Sequence, residues 1–411
     1  MLFLLAAQIS LAQAITIAAA RSPALRIATD TYRSTGAAVA LSATPYQPNV
    51  GAALSVVAGS SAPTAQSPSE DLAGLSLSQL VFDGGHVLAQ IRSAQATQSA
   101  GAATLARSAQ QIAFNVAQTY YNALETRAAV KLALQIVAQD RKQEDLIAAQ
   151  IDAGVASRVD LATAQIPTSQ ALVTVARARG QDVAALAAFD NAMGLHADAG
   201  VEPANDAATE SAASQIASEP ANYDAAIAHA MQVRPDYASA QRAVVAADQT
   251  VHAARTIMSP QVSLVANAGV VAFPGSGLGA LANNYVGAAV AVPLYDQGIK
   301  NAQVSSATIA LDEQEAALAQ TQLDVELDVR QALGTLTGAR DALVQAESEL
   351  KTAREVLVDT QAQYRAGITN LALLLNAQSG LTQAETDRLT AVFALRQAEI
   401  SYLYALGDLK L

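Results

Sequence analysis

The chain has 411 residues, a formal net charge of −12 and no cysteine. Disulfides, thiolate chemistry, cysteine-ligated zinc and lipid attachment to an N-terminal Cys are excluded, and acidity without a run of Lys and Arg argues against nucleic acid as a partner. Hydrophobic residues make up 52% but aromatics only 4%, an alanine-dominated balance that suits long helices packed closely side by side.

In chain order, residues 1–9 open with MLFLLAAQ, an apolar run with no Lys or Arg ahead of it. It reads either as the remnant of an export leader or as the first turn of a helix. A helix is predicted over 10–44. Two alternating segments follow, 49–59 and 72–82. In the second, Leu75, Leu77 and Val81 share one face and Ser76 and Ser78 the other, the two-residue period of a strand. The turn LVFDGG (80–85) comes next. From Val87 to Asp152 there is no proline and a single glycine, Gly101, so one helix on the order of 100 Å is expected at about 1.5 Å per residue. A second helix returns from Gly154 to Gly194. The stretch 196–221 is acidic, polar and Pro-containing, and reads as a connector.

The order then starts again. A helix is predicted over 222–257 and strands over 261–271 and 285–295. The first of these sets Val262, Leu264 and Val270 against Gln261, Ser263 and Asn267. PLYDQG (293–298) supplies the turn, followed by a long helix and a return from Gly367 to Gly407. Leu343, Ala346, Leu350, Ala353, Leu357, Thr360 and Tyr364 form a heptad seam on the long helix.

This is an internal duplication. Gly154 and Gly367 stand 213 residues apart (367 − 154), as do Gln150 and Gln363, Gln165 and Gln378, Asp83 and Asp296, Arg127 and Arg340, and Gly194 and Gly407. Further upstream the offset is 212, linking Pro23 to Pro235 and Pro48 to Pro260. The copies span 10–195 and 222–408. Each holds a helix, a β-hairpin (49–82 and 261–295) and a long helical hairpin (86–194 and 299–407).

Strands of about 10 residues with one apolar face match transmembrane β-strands, and equally a soluble hairpin lying on helices. Phe82 and Tyr295 at one level, with Phe273 and Tyr285 at the other, make a sparse interfacial girdle. Four strands cannot close a barrel, and lipid does not tolerate an open edge. The membrane reading therefore requires several chains to share one barrel. No apolar run approaches the roughly 20 residues of a membrane-spanning helix.

SLAQAI (10–15), RSPALRIA (21–28), LVFDGG with AQIRSAQA, RPDYASAQRAV (234–244), PLYDQG and the run YRAG…LLNAQ…ALG occur in this order over nearly the whole chain. In this combination the sequence resembles the TolC family of outer-membrane efflux proteins. The resemblance implies an α+β membrane protein: a homotrimer with a shared twelve-stranded β-barrel, four strands per chain, continued by an α-helical barrel across the periplasm. It implies a passive, non-enzymatic exit duct of a tripartite efflux or type I secretion system. An inner-membrane transporter would feed it through a periplasmic adaptor, with no cofactor. The linker 196–221 and the chain ends would lie in an equatorial belt. A structural coiled-coil or adhesin-like envelope protein would explain the alanine-rich helices and the acidity. It does not explain two hairpins at a fixed offset.

The resemblance also implies sites. The turns at Gly154, Val155, Gly367 and Ile368 match the tips that meet the adaptor; the alternative is a purely structural turn. The family's best-known members place acidic rings at the sixth and ninth positions after the second glycine. Those positions here are Leu373 and Asn376, a departure, while Asp160 holds the sixth position of the first copy. Arg158 and Arg365 flank the turns, so a latch between Asp160 and an arginine is one expectation, worth about 0–1 kcal/mol if exposed. A solvated Asp at a helix start is the other. His86, His196, His229 and His252 lack metal-ligand spacing. GSGLG (275–279) lacks the Lys-Ser/Thr of a phosphate loop and reads as an external loop.

Overall fold

The computed structural model describes residues 8–55, 71–154, 156–204, 222–272 and 280–409. It packs as two units, and each draws on both copies of the repeat. One comprises 29–104 and 236–321; the other comprises 1–28, 105–235 and 322–411.

The predicted helices over 10–44 and 222–257 are each split in two. Helix α1 (Leu11–Arg21) gives way to α2 (Pro23–Ser42) at Ser22. Likewise α5 (Tyr223–Val233) gives way to α6 (Pro235–Thr256) at Arg234. The cause is the proline at the same place in each copy. Its ring pushes the preceding residue out of the helical region, and at the first helical position its missing N–H costs nothing. Ser22 and Arg234 are accordingly extended, with ψ of 119° and 124°.

In the first unit, β2 (Asn49–Ser55), β3 (Asp71–Phe82), β5 (Gln261–Ala272) and β7 (Tyr285–Ala291) form an antiparallel sheet in that order. The two-residue β6 (Leu281–Ala282) pairs on the same edge of β5 as β7. The hairpin registers reproduce the duplication. Asn49 pairs with Ser78 and Gln261 with Ala291, which are shifts of 212 (261 − 49) and 213 (291 − 78). The residue gained between copies therefore lies in the loop joining the strands. The last strand ends at Ala291 rather than 295, short of Pro293, which has no N–H for a ladder. The outer part of the first strand, Phe273 and the loop 275–279 lie outside the described residues.

The second unit holds the ends of the long helices α3 (His86–Asp152) and α7 (Ile299–Arg365), each of 67 residues, with the return helices α4 (Arg158–Ala192) and α8 (Leu371–Leu406). Tyr120, Phe189 and Met193 are fully buried at its centre with Ala14, Ala18 and Val116. The Tyr120 and Phe189 rings meet edge to face at 5.6 Å. The heptad seam of α7 packs as expected: Leu350 and Leu357 bury against Leu374 and Leu381 of α8, each side chain contributing about 2 kcal/mol.

Two sequence expectations change here. Gln8 and Ile9, read with the leader, form β1, a parallel pair with β4 (Glu202–Pro203). The start of the 196–221 connector is likewise docked, because its polar backbone finds fixed partners. The Tyr120 hydroxyl donates to the Ala204 carbonyl at 2.6 Å, Gly200 N donates to the Asp190 carboxylate at 3.1 Å, and Arg127 pairs with Glu202 at 3.1 Å. Residues 1–7 and 205–221 lie outside the described residues.

Candidate functional site

Cross-strand partners in an antiparallel sheet share a face, so the registers sort the side chains. One face carries Val50, Ala52 and Leu54, then Leu75 and Leu77, then Val262, Leu264, Ala266, Ala268 and Val270, and finally Val286, Ala288 and Val290. Gln79 is its one polar member. The other carries Asn49, Gly51, Ser55, Ser76, Ser78, Gln261, Ser263 and Asn267, with Gly74, Gly269 and Gly287. Val50, Leu54, Val286 and Val290 are all exposed. An apolar face bare to its surroundings, opposite a small and polar one, is the arrangement for lipid on one side and water on the other.

Sequence reasoning missed a close approach on the polar face. Gly74 pairs with Gly269. A methyl group on Gly269 would sit 2.6 Å from the Ala73 carbonyl oxygen and 2.8 Å from Gly74 Cα. Only glycine fits both positions. The signal was present, since each glycine interrupts its own alternation.

The Asp-Gly turns launch the long helices. Asp83 accepts from Gly85 N at 3.0 Å and Val87 N at 2.6 Å, capping α3, and the Tyr46 hydroxyl donates to it at 3.0 Å. Asp296 repeats the cap with Gly298 N at 3.0 Å and Lys300 N at 2.7 Å. The first aspartate is buried; the second is open.

At the far ends of α3 and α7 the chain reverses. Gly154 and Gly367 have φ of +75° and +72°, the left-handed conformation that glycine supplies at a helix end. Gly367 N donates to the Tyr364 carbonyl at 3.0 Å and Ile368 N to that of Gln363 at 2.9 Å. The return helices are capped at equivalent positions. Ser157 Oγ accepts from Asp160 N at 3.2 Å, and Asn370 Oδ1 accepts from Leu373 N at 2.9 Å. The two turns are tied together: Ile147, Ala164 and Leu371 form a buried cluster with Tyr364 beside it, and the Tyr364 hydroxyl donates to Gln150 Oε1 at 3.0 Å.

Of the residues singled out in the sequence, Gly154, Arg158, Gly367, Ile368, Arg365, Leu373 and Asn376 are exposed at or just beyond these turns. Val155 lies outside the described residues. Asp160 completes a capping box: its carboxylate accepts from Ser157 N and Oγ, both at 2.8 Å. The backbone and side-chain bonds from Ser157 hold its pKa below the ordinary aspartate value. Among the described residues it makes no ion pair with Arg158 or Arg365, because the cap takes the carboxylate.

The histidines are dispersed. His86 Nδ1 lies 2.8 Å from the Ala253 carbonyl, His229 2.9 Å from Asp408 and His252 3.6 Å from Asp248, while His196 is exposed. No group of three or more His, Asp or Glu suited to a metal occurs among the described residues. A cavity of about 310 Å³ lies between α3, α4 and α8, lined by Asp140, Pro167, Gln170 and Gln378 among others. Burial, with the Glu144 charge in second place, raises the pKa of Asp140.

Comparison with known proteins agrees with this architecture. The model of a family described as outer membrane efflux protein matches residues 14–195 and 226–408, one stretch within each copy of the repeat. The chain is 28% identical to Protein CyaE of Bordetella pertussis, covering 98% of this chain and 84% of that protein. It is 25% identical to the outer membrane efflux protein BepC of Brucella suis, over 88% of this chain and 78% of that one. The fold matches the crystal structure of the outer membrane protein VceC from Vibrio cholerae with a TM-score of 0.82, at 18% identity, over 97% of this chain and 96% of that one. The chain belongs to the outer membrane efflux protein family and serves as an exit duct of the bacterial outer membrane that reaches into the periplasm.

Proposed function

We propose that three copies of this chain share one twelve-stranded barrel, and that the assembly works as the passive, non-enzymatic outer duct of a tripartite efflux or type I secretion system. The carrying observation is the four-stranded sheet. It has a bare apolar face and two unpaired edges, β2 and β7, and an open edge is not tolerated in lipid. The α-hairpin turns at Gly154, with Val155, and at Gly367 and Ile368 are the docking points for a periplasmic adaptor bound to an inner-membrane transporter. What supports this is their exposure and their matched backbone. Leu373 and Asn376, with Asp160, Arg158 and Arg365 nearby, stand at the constriction. An apolar and a neutral residue there would neither attract cations nor repel one another as carboxylates do.

Extraction from outer membranes in mild detergent tests the assembly. A membrane-bound trimer is expected; recovery in the soluble fraction as a monomer overturns the reading. Single-channel recording tests the constriction. Weak block by divalent cations is expected, and tight block would mean that other acids form a ring.

A further inference from the structure

We propose that two unfinished surfaces of the chain, the β7–α7 side of its second copy and the β2–α2 side of its first, join head to tail between copies of this chain, in a register set by the internal repeat. The inference rests on the shared-barrel reading above and names the surfaces and residue pairs that form it.

The template is inside the chain. The β3–α3 side of the first copy is covered by the β5–α6 side of the second. β3 and β5 pair along their length. His86 Nδ1 meets the Ala253 carbonyl at 2.8 Å, and Ser93 Oγ meets the Ala246 carbonyl at 2.9 Å and Thr250 Oγ1 at 3.1 Å. Thr104 and Ser239 meet at 3.0 Å. Ala89 and Ala96 of α3 and Ala246, Val251, Ala253 and Ala254 of α6 are buried.

The equivalent surfaces on the outer sides are bare. Helix α2 has no buried residue, whereas its counterpart α6 has four. Ile309, the counterpart of buried Ala96 (309 − 96 = 213), is 56% exposed. Carrying the His86–Ala253 contact across the repeat places Ile299 (86 + 213) against Leu41 (253 − 212) of a neighbouring copy. These are 52% and 69% exposed in the single chain. A polar contact inside the chain thus becomes a pair of apolar side chains between chains, the bias of an obligate interface.

The sheet edges give the register. Carried across the repeat, the observed pairs Ser78–Val265, Leu77–Ala266 and Ser76–Asn267 become Ala291 with Ala53, Val290 with Leu54 and Ala289 with Ser55. β2 and β7 are seven residues each. Val290 and Leu54, 65% and 80% exposed, would meet on the apolar face. The contact joins different surfaces of identical chains, so it propagates until a ring closes.

The absence of native cysteine makes the register testable. Gly269 receives Asn283 N at its carbonyl, and its N–H donates to Asn284 Oδ1. Both groups point toward β7, so Gly74–Gly269 is a non-hydrogen-bonded pair on the β3 side, and so is Ser76–Asn267 two residues along. The derived pair Ala289–Ser55 inherits this geometry, with Cα atoms about 4.5 Å apart, within the reach of a disulfide. Inside one chain the two positions are three inter-strand steps apart, about 14 Å, so a disulfide has to join two chains.

The experiment is mild oxidation of Ala289→Cys/Ser55→Cys in native outer membranes, read on a non-reducing gel. A ladder ending at three chains is expected, with at least fivefold more crosslinked product than Ala289→Cys/Ala53→Cys, which is slipped by two residues. Stronger crosslinking of the slipped pair overturns the register. A trimer in which neither Ala289→Cys/Ser55→Cys nor Ile299→Cys/Leu41→Cys crosslinks overturns the head-to-tail surface and leaves the shared barrel standing. A detergent-extracted chain that sediments as a monomer overturns both.

Discussion

The two helical turns share a backbone and differ in chemistry. Gly154 and Gly367 both take positive φ, and Ser157 and Asn370, equivalent positions, both cap the helix that follows. Three residues on, the first copy has Asp160 and the second an exposed Leu373. Thirteen residues beyond each glycine the copies diverge again, to Pro167 in α4 and Gly380 in α8 (380 − 167 = 213). These are the two residue types that weaken a helix most. Pro167 removes the N–H that would reach the Thr163 carbonyl, and next to it the buried Thr168 hydroxyl has no partner. Gly380 keeps its N–H and costs backbone entropy instead. What the copies hold in common is therefore where the chain turns and where a return helix is weak. The side chains that fill those roles are free to differ.

The largest expected effect breaks a turn outright. Gly367→Pro fixes φ near −65° and removes the N–H that donates to the Tyr364 carbonyl. Efflux measured as drug tolerance should fall at least tenfold, while the amount of trimer in the outer membrane stays unchanged. Gly154→Pro asks whether the first tip matters equally, and unchanged tolerance in either variant removes that turn from adaptor docking. The next effect compares the weak points. Pro167→Ala restores a helical N–H and should stabilise the chain by up to about 3 kcal/mol, against about 1 kcal/mol for Gly380→Ala. Thermal unfolding of the detergent-extracted protein reads both. Equal gains would mean that the local structure has already adapted around the proline.

Most of this architecture was legible because a duplicated sequence checks itself. The one-residue change of offset lay where the structure puts it, in the loop joining the strands, since both hairpins keep the same register. Alternation at 72–82 and 261–271 gave strand faces correctly. The breaks at Ser22 and Arg234 were missed although Pro23 and Pro235 had been paired, because the helical pattern runs on through both prolines. The docking of Gln8–Ile9 on Glu202–Pro203 was out of reach, since it joins segments nearly 200 residues apart through backbone groups alone. At the tips, glycine announced the turn. The use of Asp160 followed from Ser157 three residues earlier, a capping-box spacing that the search for a gate passed over.

Smaller effects sharpen the same contrast. Ser157→Ala and Asn370→Ala each remove a cap worth about 1 kcal/mol, and amide exchange over 158–161 and 371–374 should report the two losses separately. The smallest effect is a pH response confined to the first tip. Asp160 accepts two bonds from Ser157, which lower its pKa in the folded chain. Its contribution to the cap is therefore fully present above the ordinary aspartate range near about 4 and is lost as pH falls through the lowered folded value. Leu373, in the same position of the second copy, has nothing to protonate. After correction for intrinsic exchange, protection around Ser157 should drop a few-fold between pH 6 and pH 3 while that around Asn370 holds, and Asp160→Asn should abolish the difference. Parallel loss at both tips would mean that acid acts through a group common to the two hairpins rather than through the carboxylate that only one of them carries.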